Sequence, residues 1–277
     1  MRGVCEPTAR CSVVKLLRPI LLTLFITLIV IFVSVQWIGP VALSFYAARK
    51  APPVARIVPT DLKDKSVSDV PGKKLSYFGY EFEVPWSDLD ETQTKLYPTK
   101  SSDKNGVALY FRSGLQLSMK AIPPREWTKV LPEAFTGSPQ ATESLLGHET
   151  MKSDYSFVKT LYEFTPHKMN HWAPSQGAHV REELLLVIKS CALLKSADSG
   201  IFNVQNQNYR GFQQGDPGVR QDGITVNLYS DEGSVEMIFL QKNYKSSAGV
   251  TQPEINRIIQ SLHRVPQTGA AAQMVGR

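Results

Sequence analysis

A long uncharged segment near the N-terminus restricts the folding of this chain more than any other feature. The stretch from Ile20 to Ile38, ILLTLFITLIVIFVSVQWI, carries no charged side chain. At the rise of an α-helix these residues extend about 29 Å, close to the thickness of a bilayer's hydrocarbon core. A buried helix of a soluble protein normally shows a polar stripe, which this segment lacks. The sequence therefore predicts a single transmembrane helix.

We interpret this helix as an uncleaved signal anchor that occupies residues 19–48. Its apolar run is longer than the roughly 7–15 residues of a signal peptide, and Ala42-Leu43-Ser44 is a poor cleavage site. Arg18 abuts the run, whereas Arg49 lies well beyond its end, and basic residues beside a span favour the cytoplasm. Residues 1–18 are then a short basic cytoplasmic tail. The expected location is the inner membrane, single-pass, with the C-terminal domain outside the cytoplasm.

The positive charge of the chain is confined to its N-terminal region. The formal net charge is +6, and residues 1–56 contain seven basic residues against Glu6 alone. The remainder is neutral and lacks the field that attracts a polyanion. Nucleic acid is therefore not an expected partner.

Composition divides the rest of the chain into three parts. Residues 49–72 mix Pro, Lys, Asp and Ser without periodicity, which is typical of a linker. Residues 266–277 are small and polar and are expected to form a flexible tail. The folded domain is expected at residues 73–265.

An aromatic stretch, KLSYFGYEFEVPW from Lys74 to Trp86, opens this domain. Apolar and polar residues alternate on both sides of Gly79, which is the period of a half-buried strand. Pro85 lacks an N–H and ends the ladder. The aromatic side chains could form a ligand surface, but we interpret them as core residues of two short strands.

Further segments predict strands, helices and turns. The hairpin interpretation rests on period-two alternation around Gly-containing turns, and facing core residues are expected in the last hairpin. The predicted strands are Gly106–Ser113, Leu115–Ile122, Ile201–Val204, parts of Asn208–Gln213, Ile224–Tyr229 and Val235–Leu240.

Apolar residues at three- and four-residue steps predict helices between and after these strands. Expected helices are Arg125–Phe135, Asp154–Phe164, His179–Lys195 and one that starts at a capping box, Thr251 to Glu254. In the third helix, the expected buried face comprises Val180, Leu184, Val187, Ile188, Cys191 and Leu194, so that Cys191 is a buried thiol. The predicted fold class is α+β, with a mostly antiparallel sheet flanked by helices.

The order of these elements resembles the PsbP/Mog1-like α/β/α sandwich. The resemblance rests on Tyr80–Trp86, Ile224–Leu240 and Thr251–Leu262, within residues 73–265. Members of that group mostly act as binding or assembly factors, so the resemblance implies a non-catalytic role and transfers no functional residue. The stretch from His148 to Lys195 is longer than that fold usually contains.

Motifs for enzymatic chemistry are absent from the sequence. There is no phosphate-binding glycine loop and no G-x-S-x-G nucleophile elbow. One metal site is conceivable, because His167 and His171 have a spacing that suits zinc, and His179 or Glu182 could complete the set. Surface histidines in a polar loop are the alternative interpretation, which we favour, and no cofactor is expected.

The segment FNVQNQNYRGFQQGDP, Phe202 to Pro217, is the candidate recognition site. Amide side chains next to aromatic rings and an arginine can bind sugars, peptides or a partner's backbone. The candidate binding residues are Asn208, Tyr209, Arg210 and Phe212. A polar edge strand leading into a loop is the alternative.

Together these features favour a membrane-anchored, extracytoplasmic binding or assembly module without catalytic activity, whose partner is an envelope protein. Two alternatives remain open from the sequence. One is an anchored metal-dependent hydrolase that uses His167, His171 and His179, and the other is a structural envelope tether.

Overall fold

The fold is α+β. The computed structural model describes residues 25–29, 31–32, 38–98, 105–124, 138–172, 176–193, 195–219, 223–241 and 249–265. Much of the predicted membrane span, and the predicted helix Arg125–Phe135, lie outside these residues. Within them, no helix is both long enough and apolar enough to cross a bilayer.

The chain divides into two compact units. The smaller contains the described residues up to Lys50 together with His167–Glu183, and the larger contains Ala51–Pro166 and the described residues from Leu184 onward.

Eleven strands form two sheets in the part of the chain that the structure describes. The strands are β1 (Thr60–Asp61), β2 (Lys73–Tyr77), β3 (Tyr80–Val84), β4 (Lys95–Pro98), β5 (Asn105–Tyr110), β6 (Leu115–Ile122), β7 (Ile201–Gln205), β8 (Arg210–Gln214), β9 (Ile224–Ser230), β10 (Gly233–Gln241) and β11 (His263–Arg264). In the described part of the chain, the large sheet has the order β1-β7-β8-β9-β10-β6-β5-β4 and the small one β11-β3-β2. The large sheet is mixed. β1 runs parallel to β7, and every other pair of neighbouring strands in the described part of this sheet is antiparallel.

Helices accompany the sheets. Within the described residues they include α1 (Gly39–Lys50), α2 (Pro139–Leu146), α3 (His148–Met151), α4 (Asp154–Glu163), α5 (Gln176–Ala192) and α6 (Gln252–Ser261). The predicted helix that begins at the capping box is α6, where the Thr251 backbone N–H donates to Glu254 Oε2 at 2.8 Å.

The hairpin of β9 and β10 has the predicted register. Val226 pairs with Met237, and Leu228 pairs with Val235. All four side chains are buried. Because strand side chains alternate with a period of two, the apolar pattern alone fixed which residues face the core.

The aromatic stretch forms β2 and β3 and belongs to the core. Phe78 and Gly79 both adopt positive φ, 55° and 78°, in the turn between the strands. Phe82 is 1% exposed. The Trp86 indole N–H donates to Glu254 Oε1 at 3.0 Å, so the same carboxylate that caps α6 also fastens the small sheet to it. The interpretation of these aromatic residues as an apolar core, rather than a ligand surface, is confirmed.

Two apolar clusters cover different parts of the large sheet. In the first, sheet residues pack with β3 and α6 through side chains such as Phe82 and Ile258. In the second, Phe212 and Tyr229 of the sheet pack with α4 and the C-terminal part of α5, through side chains such as Phe157 and Leu185. The large sheet of this unit therefore carries a helical layer and a layer of α6 with the small sheet.

The predicted linker, residues 49–72, is largely part of the fold. Thr60 and Asp61 pair with Phe202 and Asn203 of β7 as β1. The Asn256 side-chain amide of α6 donates to the carbonyls of Asp64 and Ser66, at 3.1 and 2.7 Å. Backbone pairing and side-chain amides hold this segment, and neither leaves a periodic apolar signal in the sequence.

The buried face of α5 was predicted wrongly in part. Ile188 is buried as predicted, but Val187 is 58% exposed and Cys191 is exposed. Lys189, which was not in the predicted face, is buried, and Leu194 lies outside the described residues. Apolar residues occur on more than one side of this helix, so their spacing did not single out the buried face. The thiol of Cys191 is therefore not a core group.

Lys189 connects three segments of the larger unit. Its side chain is 0% exposed. The ammonium donates to the backbone carbonyls of Ile57, Tyr162 and Phe164 at 2.6, 2.8 and 2.7 Å. Tyr162 and Phe164 lie at the C-terminus of α4, where carbonyls lack helical partners and a positive charge is favourable. The lysine thus replaces its hydration with three charge-assisted bonds, which makes its burial possible.

The smaller unit is held together by polar and aromatic contacts. The Ser44 hydroxyl of α1 hydrogen-bonds His171 Nδ1 at 2.7 Å. The Phe45 ring stacks on the His171 ring with centroids 3.9 Å apart. The Asn170 backbone N–H donates to Glu182 Oε2 at 2.9 Å. The first two contacts attach the segment that begins at His167 to α1, and the third attaches it to α5.

We predict that Lys189→Met lowers the free energy of unfolding by at least about 3 kcal/mol. The substitution keeps the length of the side chain but leaves three buried carbonyls without their donor, each at a cost of about 1 kcal/mol or more. Urea denaturation of the purified full chain measures this loss. Lys159→Met on the exposed side of α4 is the matched control, since its pair with Glu163 is 3.9 Å long and weak. Equal losses in the two variants would contradict the role of Lys189.

Candidate functional site

The hairpin of β7 and β8 presents the candidate site. Its loop carries Asn206, Gln207 and Asn208, and two cavities open on its flanks. The volumes are about 660 and 460 Å³. Tyr155 and Arg210 line both cavities. These two side chains are therefore shared by the whole candidate site.

Arg210 is stacked on an aromatic ring. Its guanidinium carbon lies 4.2 Å from the centroid of the Tyr155 ring, close enough for a cation–π interaction. Arg210 is the first residue of β8 and is exposed, while Tyr155 is in the first turn of α4 and is half-buried. The stack restricts the arginine while leaving its side chain accessible from solvent.

The guanidinium of Arg210 is not neutralised within the described residues. No carboxylate among them lies within ion-pair distance of it, and no acceptor among them receives its N–H groups. An arginine has five N–H donors in a fixed planar arrangement. The site therefore offers an oriented set of donors to a ligand.

The Tyr155 ring is itself supported from the core. It stacks nearly parallel to Phe212, at 5.6 Å and 11°. Phe212 meets Tyr162 edge to face at 5.1 Å, and Gln214 Nε2 donates to the Tyr162 hydroxyl at 2.8 Å. Arg210, Phe212 and Gln214 alternate along β8 and so lie on one face of the strand. A row of aromatic contacts thus extends from the core to the exposed arginine.

Burial raises the pKa of the Tyr162 phenol above its usual range, and the hydrogen bond from Gln214 opposes this only in part. Burial likewise raises the pKa of Tyr209, whose hydroxyl also hydrogen-bonds Ser230. Both phenols are therefore neutral hydrogen-bonding groups at physiological pH.

The four candidate residues predicted from the sequence occupy different environments. Asn208 and Arg210 are exposed at the cavities. Tyr209 is 4% exposed, and its ring lies 6.4 Å from that of Tyr80. Phe212 is 1% exposed and acts as a support for Tyr155. Only the first two are positioned to contact a ligand directly.

Asn206 fixes the hairpin loop to α6. Its side-chain amide donates to the carbonyls of Ile259 and Leu262 at the end of that helix, at 2.7 and 2.9 Å. Its side-chain oxygen accepts from the backbone N–H groups of Asn208 and Tyr209. The nitrogen and the oxygen of the Asn206 side chain therefore both hold the loop in place through hydrogen bonds. The exposed side chains of Gln207 and Asn208 lie on this ordered backbone.

The residue after Arg210 must be glycine. A Cβ on Gly211 would lie 1.8 Å from the backbone oxygen of Asn227 in β9. No real side chain tolerates that separation, so β8 approaches β9 more closely here than a larger residue would allow. This close approach sets the position of Arg210.

The histidines are not assembled as a metal site. His167 is exposed in a short turn, His171 is bonded to Ser44, and His179 is buried in α5. Glu182, the further candidate ligand, accepts from the Asn170 backbone. Within the described part of the chain, no three His, Cys, Asp or Glu side chains are grouped as metal ligands. The geometry gives the hydrolase alternative no support.

Known proteins provide no template for this site. No protein-family model, no curated protein and no solved structure matches the chain. The functional conclusion therefore rests on the residues themselves.

Sequence reasoning did not identify Tyr155 and Lys65, which also line the larger cavity. Tyr155 fell within the predicted helix Asp154–Phe164, and Lys65 within the predicted linker. A tyrosine near the start of a helix is a weak signal, since its ring can extend beyond the core. Lys65 had no signal, because its approach to β7 depends on the pairing of β1.

We predict that Gly211→Ala destabilises the fold by about 1–3 kcal/mol, the range typical of overpacking. The added methyl would meet backbone atoms of Asn227 and Leu228, which cannot rotate away. Thermal unfolding of the full chain measures the change. Gly218→Ala is the matched control, because the nearest atom to its Cβ is a side-chain oxygen of Asp216 at 3.2 Å. Unfolding temperatures that fall equally in both variants would contradict the close approach.

Proposed function

We propose that this chain is a single-pass, membrane-anchored binding or assembly module without catalytic activity. Its recognition surface is the exposed side of the β7–β8 hairpin, comprising Gln207, Asn208 and Arg210 with Tyr155. The domain lies outside the cytoplasm, and the partner is an envelope protein.

The main support for this proposal is that Arg210, which is stacked on the Tyr155 ring, lines both cavities. Ligand sites are concave and contain a few well-placed polar groups, and their volumes commonly fall between about 300 and 1,000 Å³. Arginine and tyrosine are also the residues enriched where interfaces derive most of their affinity. Arg210 is exposed on an ordered hairpin, so it supplies both a well-placed polar group in a cavity and a residue type that is common at interfaces.

The anchoring part of the proposal is supported by the sequence. The uncharged segment from Ile20 to Ile38 is long enough to span a bilayer. Directly after it, α1 exposes Tyr46. Aromatic side chains near a span favour the interface between lipid and water.

We also propose a relationship to the PsbP/Mog1-like sandwich. The support is the layered arrangement of the larger unit, in which the large sheet packs with α4 and α5 in one cluster and with α6 and the small sheet in another. A binding role is what that resemblance implies.

We predict that photocrosslinking from the hairpin captures a discrete partner in intact cells. A photoreactive residue at Gln207 or Asn208 should give an adduct of the same mass, since both side chains are exposed on one ordered loop. Arg210→Glu in the same chains should remove at least most of that adduct. Gel mobility of the tagged chain and mass spectrometry of the excised band provide the measurement.

Thr92 is the control position, because it is exposed on a turn between β3 and β4 that does not line either cavity. Adducts that occur equally from Thr92, or that persist in Arg210→Glu, would contradict recognition by the hairpin. A structural envelope tether predicts that outcome, since its domain surface carries no function.

A further inference from the structure

We propose that the larger cavity binds an extended peptide segment through a carboxylate held by Arg210. This inference rests on the proposed binding function and specifies its ligand class. The juxtaposition that carries it is Arg210, Lys65 and a set of amide side chains around one cavity of about 660 Å³.

The arginine is suited to a planar anion. One face of its guanidinium is covered by the Tyr155 ring at 4.2 Å, which restricts its rotation. Its edge carries the N–H donors, and these have no acceptor among the described residues. Parallel N–H donors match the two oxygens of a carboxylate in a bidentate pair.

The charge of the cavity matches a single carboxylate. Lys65 and Arg210 are its basic side chains, and Asp61 is its one carboxylate. Asp61 Oδ1 accepts from the side-chain amide of Asn203 at 3.1 Å. One excess positive charge is balanced by a ligand of charge −1 and overcompensated by a phosphate dianion.

Helix starts are common phosphate sites, because their first N–H groups are free. The residues that α6 contributes to this cavity, Asn256, Ile259 and Gln260, lie beyond its first turn, whereas Tyr155 lines it from the first turn of α4. The preference for a carboxylate over a phosphate dianion therefore rests on the charge of the lining.

The amide side chains of the cavity indicate that the ligand with this carboxylate is a peptide. Gln205, Gln207 and Gln260 line the cavity, and each carries both a donor and an acceptor. Gln260 Nε2 donates to the Gln205 backbone carbonyl at 3.0 Å, which holds the Gln260 side chain in place. A peptide backbone alternates N–H and C=O groups, which paired amides can satisfy along its length.

The test is a titration of the full chain in detergent micelles, with nitrogen-15-labelled arginine observed by NMR. The probes are N-acetyl-glutamate N-methylamide, its glutamine counterpart and inorganic phosphate. The Nε–H resonance of Arg210, assigned by its loss in Arg210→Gln, should shift with the glutamate probe. The glutamine probe should bind roughly tenfold more weakly, as neutral hydrogen bonds are weaker than charge-assisted ones. Phosphate should bind more weakly than the glutamate probe.

Two variants separate the site from general charge effects. Arg112→Gln removes an exposed arginine outside the cavity and should leave the shift of Arg210 unchanged. Tyr155→Leu should weaken binding of the glutamate probe by roughly two- to fivefold, the value of an exposed cation–π contact. Tyr155→Phe keeps the ring and should restore this affinity, which distinguishes the positioning of Arg210 from a general loss of structure.

Three results would overturn the inference. They are an unshifted Arg210 resonance, equal affinity for the glutamate and glutamine probes, and tighter binding of phosphate. The second and third leave the hairpin as a binding surface but reject a carboxylate-bearing peptide as its ligand. Failure of the proposed function itself is seen separately, as loss of specific crosslinking from Gln207 and Asn208.

Discussion

The larger unit depends on the three hydrogen bonds that the buried ammonium of Lys189 donates. The ammonium donates to carbonyls of Ile57, Tyr162 and Phe164, and so joins α5 to the end of α4 and to the segment before β1. A buried charge is costly unless its hydrogen bonds are satisfied, so all of these segments must be in place together. The position of α4 follows from this constraint.

The position of α4 in turn determines where the aromatic side chains of the recognition site lie. α4 carries Tyr155 in its first turn and Tyr162 in its last, and both rings contact Phe212 of β8. Tyr155 in turn supports Arg210. The exposed arginine is thus connected to the core through aromatic contacts, and its orientation is set before any ligand binds. Such preorganisation reduces the entropy lost on binding.

Structural features that are set by residues close together in the sequence were predictable, and those that depend on residues far apart in the sequence were not. The register of β9 and β10 follows from alternation, and the start of α6 from the pair Thr251 and Glu254. The predicted buried face of α5 omitted Lys189, because the burial of this lysine depends on carbonyls from other segments. At the site, composition indicated Arg210, but its partner Tyr155 lies more than fifty residues away, and no local signal joins them.

Proton NMR of the Arg210 side chain can show whether Arg210 is held on Tyr155 in the ligand-free chain. Protons above an aromatic ring are shifted upfield by the ring current. At the 4.2 Å separation of guanidinium and ring, we expect an upfield shift of the Arg210 δ-methylene protons that disappears in Tyr155→Leu. Chemical shifts typical of a free arginine, unchanged by that substitution, would contradict it.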